Sequence, residues 1–151
     1  MTHPKAILVD IDGTLANITH RLHYVKEKRK NWKKFFEEMK DDSVNEWCRN
    51  LVYHYFNAGY VIIFMSGRPE DYRSVTHKFI DEKAQLYHTG YQLFMRPSKD
   101  SRKDSLVKEE LYLTHIKDKY TIELVIDDRQ QVVDKWRELG LVTLQCAKGD
   151  F

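Results

Sequence analysis

Two carboxylates stand one residue apart in the run Asp10-Ile11-Asp12-Gly13-Thr14, directly after the aliphatic stretch Ala6 to Val9. Once the chain leaves an extended strand, both can reach the same phosphate. One of them, held against a metal, can attack phosphorus in line; the other can protonate the leaving oxygen and later activate water. Gly13 allows the backbone to turn sharply and brings amide donors to phosphate oxygens. Two more polar runs occupy the same kind of position: Ser66-Gly67-Arg68 follows Val61 to Met65, and Asp127-Asp128-Arg129 follows Leu124 to Ile126. Asp10, Asp12, Asp127 and Asp128 at one end of a sheet would repel each other, and a hard cation with oxygen ligands neutralises them. Mg2+ is the expected ion, because it keeps several waters and shares its sphere with a substrate phosphate, which makes phosphoryl transfer the leading chemistry.

Those residues need elements to position them. Short aliphatic runs at Ala6 to Val9, Val61 to Met65, Gln92 to Met95, Leu124 to Ile126 and Leu141 to Leu144 read as buried strands. Helical spacing links Val44, Trp47, Leu51 and Tyr55, then Tyr72, Val75 and Phe79, and later Val132, Trp136 and Leu139. Strands alternating with helices predict an α/β fold around a central parallel sheet, whose ligand site lies beyond the carboxyl ends of the strands. Ser43 with Glu46 forms a candidate capping box, Pro69 suits a first helical turn, and Gly59 and Gly140 sit where helices should stop. Residues 17–42 break the alternation and predict a small helical insert after the first strand. Within it Trp32, Phe35, Phe36 and Met39 share helical spacing, which is better explained by anchoring the insert on the body than by base stacking.

With 151 residues and a hydrophobic fraction of 42%, the chain is about one domain long and has ample material for one packed core, so residues 1–151 are expected to form a single domain. No apolar run has the length of a membrane span, and no membrane partner is expected. The opening residues lack the charged, apolar and small-residue pattern of a secretion signal, and Cys48 and Cys146 are too few for a disulfide framework; both point to a cytoplasmic setting, the host cytoplasm if the chain is phage-encoded. The net charge of +2 is nearly balanced, but Arg21, Lys26, Lys28, Arg29, Lys30, Lys33 and Lys34 face only Glu27 between positions 21 and 34. That cluster is either a solvated helix face or a polyanion contact. Arg129 is expected to begin a helix and pair with a surface carboxylate or a neighbouring aspartate. His20 and His23 share a helical face but lack the further ligands of a transition-metal site.

The ordered set DIDGT, SGR, a lysine within SRKD, and VIDD resembles the four motifs of the haloacid dehalogenase superfamily, over nearly the whole chain. The resemblance implies a three-layer Rossmann-like domain with a central parallel sheet. It also implies an aspartyl-phosphate on Asp10, acid/base work by Asp12, a phosphoryl contact from Ser66, and charge balance by Lys103, which only the family pattern singles out. Asp127 would bind Mg2+ with Asp10 and the backbone carbonyl of Asp12, Asp128 would contribute directly or through a neighbour, and Thr14 would hydrogen-bond near the nucleophile. A closer similarity is to the 3'-phosphatase domains of phage polynucleotide kinase-phosphatases, carried by DIDGTLA with Arg21, SGR with Arg68, DSRKDSLVKEELYLTHI, and IDDRQQVVDKWRELG through AKGDF. It implies substrate-phosphate or site-setting roles for Arg21, Gly67 and Arg68, and an orienting role for Asp100. No G-x-x-x-x-G-K-[ST] loop is present, so a kinase half is not expected within these residues.

The resulting expectation is a Mg2+-dependent phosphatase acting on 3'-phosphorylated DNA or RNA ends, with a separate kinase or ligase as possible company. Two other readings stay open: a nucleotidase or other small-molecule phosphatase, and a non-catalytic module that binds nucleic-acid ends or a protein. Retention of Asp10, Asp12, Ser66, Lys103 and Asp127 together argues against the last, since fold alone would not require that set.

Overall fold

The computed structural model describes residues 2–151. Five strands, β1 (Lys5–Asp10), β4 (Val61–Pro69), β5 (Gln92–Arg96), β6 (Thr121–Arg129) and β7 (Thr143–Gly149), form one sheet in the order β5-β4-β1-β6-β7, and every pairing in it is parallel. The alternation of side chains along β1 and β4 divides the core in two. Ile7, Val9, Ile62 and Phe64 point to one face, where they meet Cys48 and Val52 of α3 (Glu46–Asn57) and the segment Phe79 to Leu86. Ala6, Leu8, Ile63 and Met65 point to the other, where they meet Tyr112 and Ile116 at the end of α5 (Asp104–His115) and Val132 and Trp136 of α6 (Gln130–Glu138). With both faces covered, the strands carry no polar alternation, and this is why they read as continuous apolar runs. The three layers are the expected α/β architecture.

The insert is clipped shut at its base. Strands β2 (Ala16–Asn17) and β3 (Ser43–Val44) pair antiparallel, Ala16 with Val44 and Asn17 with Ser43. Between them the chain forms two short helices, α1 (His23–Lys26) and α2 (Trp32–Glu37), with single 3-10 turns at either end. Phe35 and Met39 are buried, and Phe35 joins the core beneath the sheet's β1 face, so the anchoring role expected of this stripe holds for these two residues. A further short helix, α4 (Arg73–Lys78), follows β4.

Three boundary expectations are corrected. The capping box fails because Ser43 stays extended to pair with Asn17; α3 begins later, with Asn45 as its N-cap. Asn45 instead sends Nδ2 to the Thr14 carbonyl at 2.8 Å, tying the insert's base to the loop after β1. Pro69 ends β4 rather than entering a helix, with ψ of 148° directly before the turn Glu70–Tyr72. The last strand begins at Thr143 because Gly140, at φ +85°, and Leu141, bonded back to the Trp136 carbonyl at 3.0 Å, still close the end of α6.

Candidate active site

Strand order places β1 between β4 and β6, which leave in opposite directions, so a crevice opens beyond its carboxyl end. Register then sets the contents. Asp10 lies abreast of Met65, putting Ser66 one step above, and Val9 lies abreast of Ile126, putting Asp127 level with Asp10. After Asp10 the chain turns tightly: Gly13 N donates to Ala16 O at 2.9 Å, and Thr14 N and Ala16 N donate to Ile11 O. Gly13 is required here, since its φ is +83° and a Cβ would lie 2.2 Å from Asp128 Oδ2.

The two carboxylates of this loop have separate environments. Asp10 is buried; its Oδ1 accepts from Lys108 Nζ at 2.8 Å and its Oδ2 from Thr14 Oγ1 at 3.0 Å. Lys108 Nζ also donates to Asp127 Oδ2 at 3.0 Å. Asp12 turns away from this cluster. It accepts from Arg21 Nη2 at 2.6 Å and from Arg68 Nη2 at 2.6 Å and Nε at 3.1 Å. Both arginines are buried, and both share a second carboxylate, Asp42, which accepts from Arg21 Nε and Nη2 at 2.8 and 2.7 Å and from Arg68 Nη2 at 3.2 Å. Arg21 is completed by the Phe35 carbonyl and Arg68 by Thr76 Oγ1, each at 3.0 Å. Two buried guanidiniums against two carboxylates is a neutral, fully hydrogen-bonded arrangement, which is what burying charge requires.

One carboxylate oxygen from each of Asp10, Asp127 and Asp128 lies within 4.8 Å of the others. Three buried carboxylates beside a single ammonium form an anionic, all-oxygen donor set that fits a hard divalent cation such as Mg2+. Asp12's carboxylate is not in this set.

These environments displace the carboxyl pKa values. Burial, then the Asp127 charge, pushes Asp10 well above the usual carboxylate range, against the pull of Lys108. Burial and Asp127 push Asp128 up to about 7. For Asp12 burial acts the same way, but Arg68 and then Arg21 outweigh it and hold the carboxyl well below its usual value. A carboxyl with a raised folded pKa binds more protons folded than unfolded between its two pKa values, so it removes stability as pH rises through that interval. Chelator-treated protein should therefore lose thermal stability between about pH 4 and pH 7, and added Mg2+ should restore more at pH 8 than at pH 5. Asp12 acts with the opposite sign, its stabilisation disappearing as pH falls below about 4, outside that interval. A melting temperature unaffected by pH and Mg2+ across this range would rule out the acidic cluster as a strained cation site.

Several expected residues are placed differently from the sequence reading. Lys103 is corrected: it lines the cavity as the exposed N-cap of α5, and the lysine that reaches Asp10 is Lys108. The inward face of α5 carries Asp104, Val107, Lys108 and Tyr112, so Lys108 sits one helical turn inside the position the motif suggested. That signal was legible as a lysine at core spacing. Asp100 lines the cavity, accepts from Arg102 N at 2.9 Å and Arg102 Nη2 at 2.6 Å and lies 3.9 Å from Arg96 Nη1, and Arg102 lowers its pKa to about 2. Asp104 ion-pairs with Arg96 at 3.4 Å, Arg129 at 3.5 Å and Lys108 at 3.8 Å. Asp104 also explains Gly67, where a Cβ would lie 2.2 Å from its Oδ1. Arg129 does begin a helix, but its carboxylate partner is this one in the cavity wall, not a surface acid. Ser66 is buried, and its hydroxyl accepts from Arg68 N at 3.1 Å.

Asp42, Asp104 and Arg96 had no sequence signal of their own. His20 contacts Asp42 through Nε2 at 2.8 Å instead of joining His23 on a metal. Burial raises the thiol pKa of Cys48 and Cys146, the latter to about 12, so both stay protonated packing groups. Among the described residues no helix is long and apolar enough to cross a membrane.

The family described as the phosphatase domain of polynucleotide kinase PNKP matches residues 4–151. The chain belongs to this family. This PNKP phosphatase domain is 35% identical, over 141 residues, to a putative bifunctional polynucleotide kinase/RNA ligase of Autographa californica nuclear polyhedrosis virus, a match covering 93% of the chain and 19% of that relative. It superposes on a chain of the Pnkp1/Rnl/Hen1 RNA repair complex with a TM-score of 0.81 and 36% identity, covering 99% of this chain and 44% of that one. The PNKP phosphatase domain thus spans well under two thirds of either relative. A haloacid dehalogenase-like hydrolase of Streptococcus pneumoniae, 14% identical, shares the fold with a TM-score of 0.62 over 96% of this chain and 85% of its own.

Proposed function

We propose that this phosphatase domain removes 3'-phosphate from polynucleotide ends with Mg2+, by way of an aspartyl-phosphate on Asp10. The observation that carries the reading is the separation of the two loop carboxylates: Asp10 lies in the cation-binding cluster with Lys108, while Asp12, two residues on, is held by guanidiniums. A bound Mg2+ on Asp10, Asp127, Asp128 and the Asp12 carbonyl would neutralise charge on the transferring phosphoryl group.

Asp10 attacks phosphorus and the bond from phosphorus to the 3'-oxygen breaks; Asp12, ionised between Arg21 and Arg68 in this structure, must take up a proton before it can deliver one to that oxygen. Water then attacks the same phosphorus, Asp12 takes its proton, and phosphate leaves with Asp10 regenerated. Lys108 holds Asp10 in position, and Arg21 and Arg68, buried behind Asp12, orient its carboxylate. The names of the relatives, a polynucleotide kinase/RNA ligase and an RNA repair complex, support nucleic-acid ends as substrate, RNA ahead of DNA, with separate kinase and ligase activities alongside.

The test is phosphate release, with and without Mg2+, from an oligonucleotide bearing a 3'-phosphate, its 5'-phosphate counterpart and a 3'-mononucleotide. Mg2+-dependent preference for the 3'-phosphorylated oligomer is expected. Preference for the mononucleotide would retain the chemistry and make the protein a nucleotidase.

A further inference from the structure

The aromatic stripe of the insert is divided in use. Phe35 and Met39 are buried and account for the anchoring of the insert. Trp32 and Phe36 rest against the same core but stay partly exposed, with ring centroids 5.9 Å apart and planes 26° from parallel. Both line the cavity of about 500 Å³ that contains Asp10, Asp12 and Asp128. A phosphate alone does not need that space, which lies within the roughly 300–1,000 Å³ of pockets that enclose whole small molecules.

Cations surround this aromatic wall. The Lys30 ammonium lies 5.8 Å and the Arg129 guanidinium 5.5 Å from the Trp32 ring, and both residues line the cavity. Lys26, Lys28, Arg29, Lys33 and Lys34 continue outward from it, all exposed. Among the described residues the ion pair made by this group is Lys33 with Glu37, at 4.0 Å. Arg21, counted with them in sequence, is buried on Asp12 and Asp42 and does not belong to this surface.

We infer that Trp32 and Phe36 form a stacking platform for the terminal nucleobase of the substrate strand, and that the basic segment from Lys26 to Lys34 receives the phosphates preceding it. This rests on the phosphatase reading above and assigns its substrate selection to the insert. Every base has a stackable face, so such a platform recognises a strand end without reading its sequence. The cations add attraction that weakens with salt.

The experiment compares two oligonucleotides with a 3'-phosphate, one ending in a normal nucleoside and one in an abasic sugar, alongside p-nitrophenyl phosphate. The parent protein should prefer the normal end in kcat/KM by roughly tenfold. Trp32→Ala should erase that preference, and Trp32→Phe should restore most of it. In the same assay Lys28→Gln combined with Arg29→Gln should make the dependence of log affinity on log salt shallower by about two. Equal kcat/KM for the two ends in the parent protein, or a Trp32→Ala loss shared equally by both oligonucleotides and p-nitrophenyl phosphate, would overturn the platform alone. Turnover of p-nitrophenyl phosphate with no release from either oligonucleotide would overturn the polynucleotide reading with it.

Discussion

Asp10→Asn should lower phosphate release by about four orders of magnitude or more while the protein stays folded. The geometry separates the two effects. In the proposed reaction Asp10 contributes the attacking oxygen, and an amide in its place cannot form the aspartyl-phosphate. Its structural contribution is smaller: the asparagine carbonyl can still accept from either Lys108 or Thr14, though not from both. Removing one negative charge also relieves the repulsion with Asp127 and Asp128 that raises the Asp10 pKa. Thermal denaturation by circular dichroism should therefore give a midpoint close to the parent's, and Mg2+ should raise it less than in the parent, because one ligand is altered. Retained turnover in a folded Asp10→Asn protein would end the nucleophile assignment.

The second large effect is expected at Asp42, which touches none of the clustered aspartates Asp10, Asp127 and Asp128. Asp42→Ala leaves Arg21 and Arg68, both buried, with Asp12 as their remaining carboxylate partner. Breaking a buried charge network by removing one member costs about 3–5 kcal/mol, a large part of the stability of a small domain. Turnover should fall as well, because the guanidiniums that orient Asp12 lose the carboxylate that fixes them. Asp42→Asn keeps hydrogen-bonding capacity and should fall between parent and alanine variant in both respects. Urea denaturation and kcat together provide the check, and an Asp42→Ala protein as stable as the parent would show that Asp12 alone balances both arginines.

Much of the fold was legible in the chain because parallel strands covered on both faces leave uninterrupted aliphatic runs, and residues 6–9, 61–65, 92–95 and 124–126 all lie within strands of the sheet. The polar residues closing those runs could be read as a site for the same reason, since strand ends in such a sheet share one edge. Boundaries were less legible where pairing competed with local preference. Ser43 has the chemistry of a helix cap, yet two ladder partners at the base of the insert keep it extended.

The sequence by itself determined the candidate reacting pair, Asp10 and Asp12, and the acids at 127 and 128, because short-range spacing and strand ends suffice to bring them to one edge of the sheet. Only the tertiary structure decided which lysine serves Asp10. Lys103 and Lys108 stand in one charged segment, and the direction of α5 against the sheet buries the second and leaves the first in solvent. It also decided the partners of Asp12, since Arg21 and Arg68, themselves shared with Asp42, come from the insert and a neighbouring strand, and a contact spanning up to 56 positions leaves no local pattern to read.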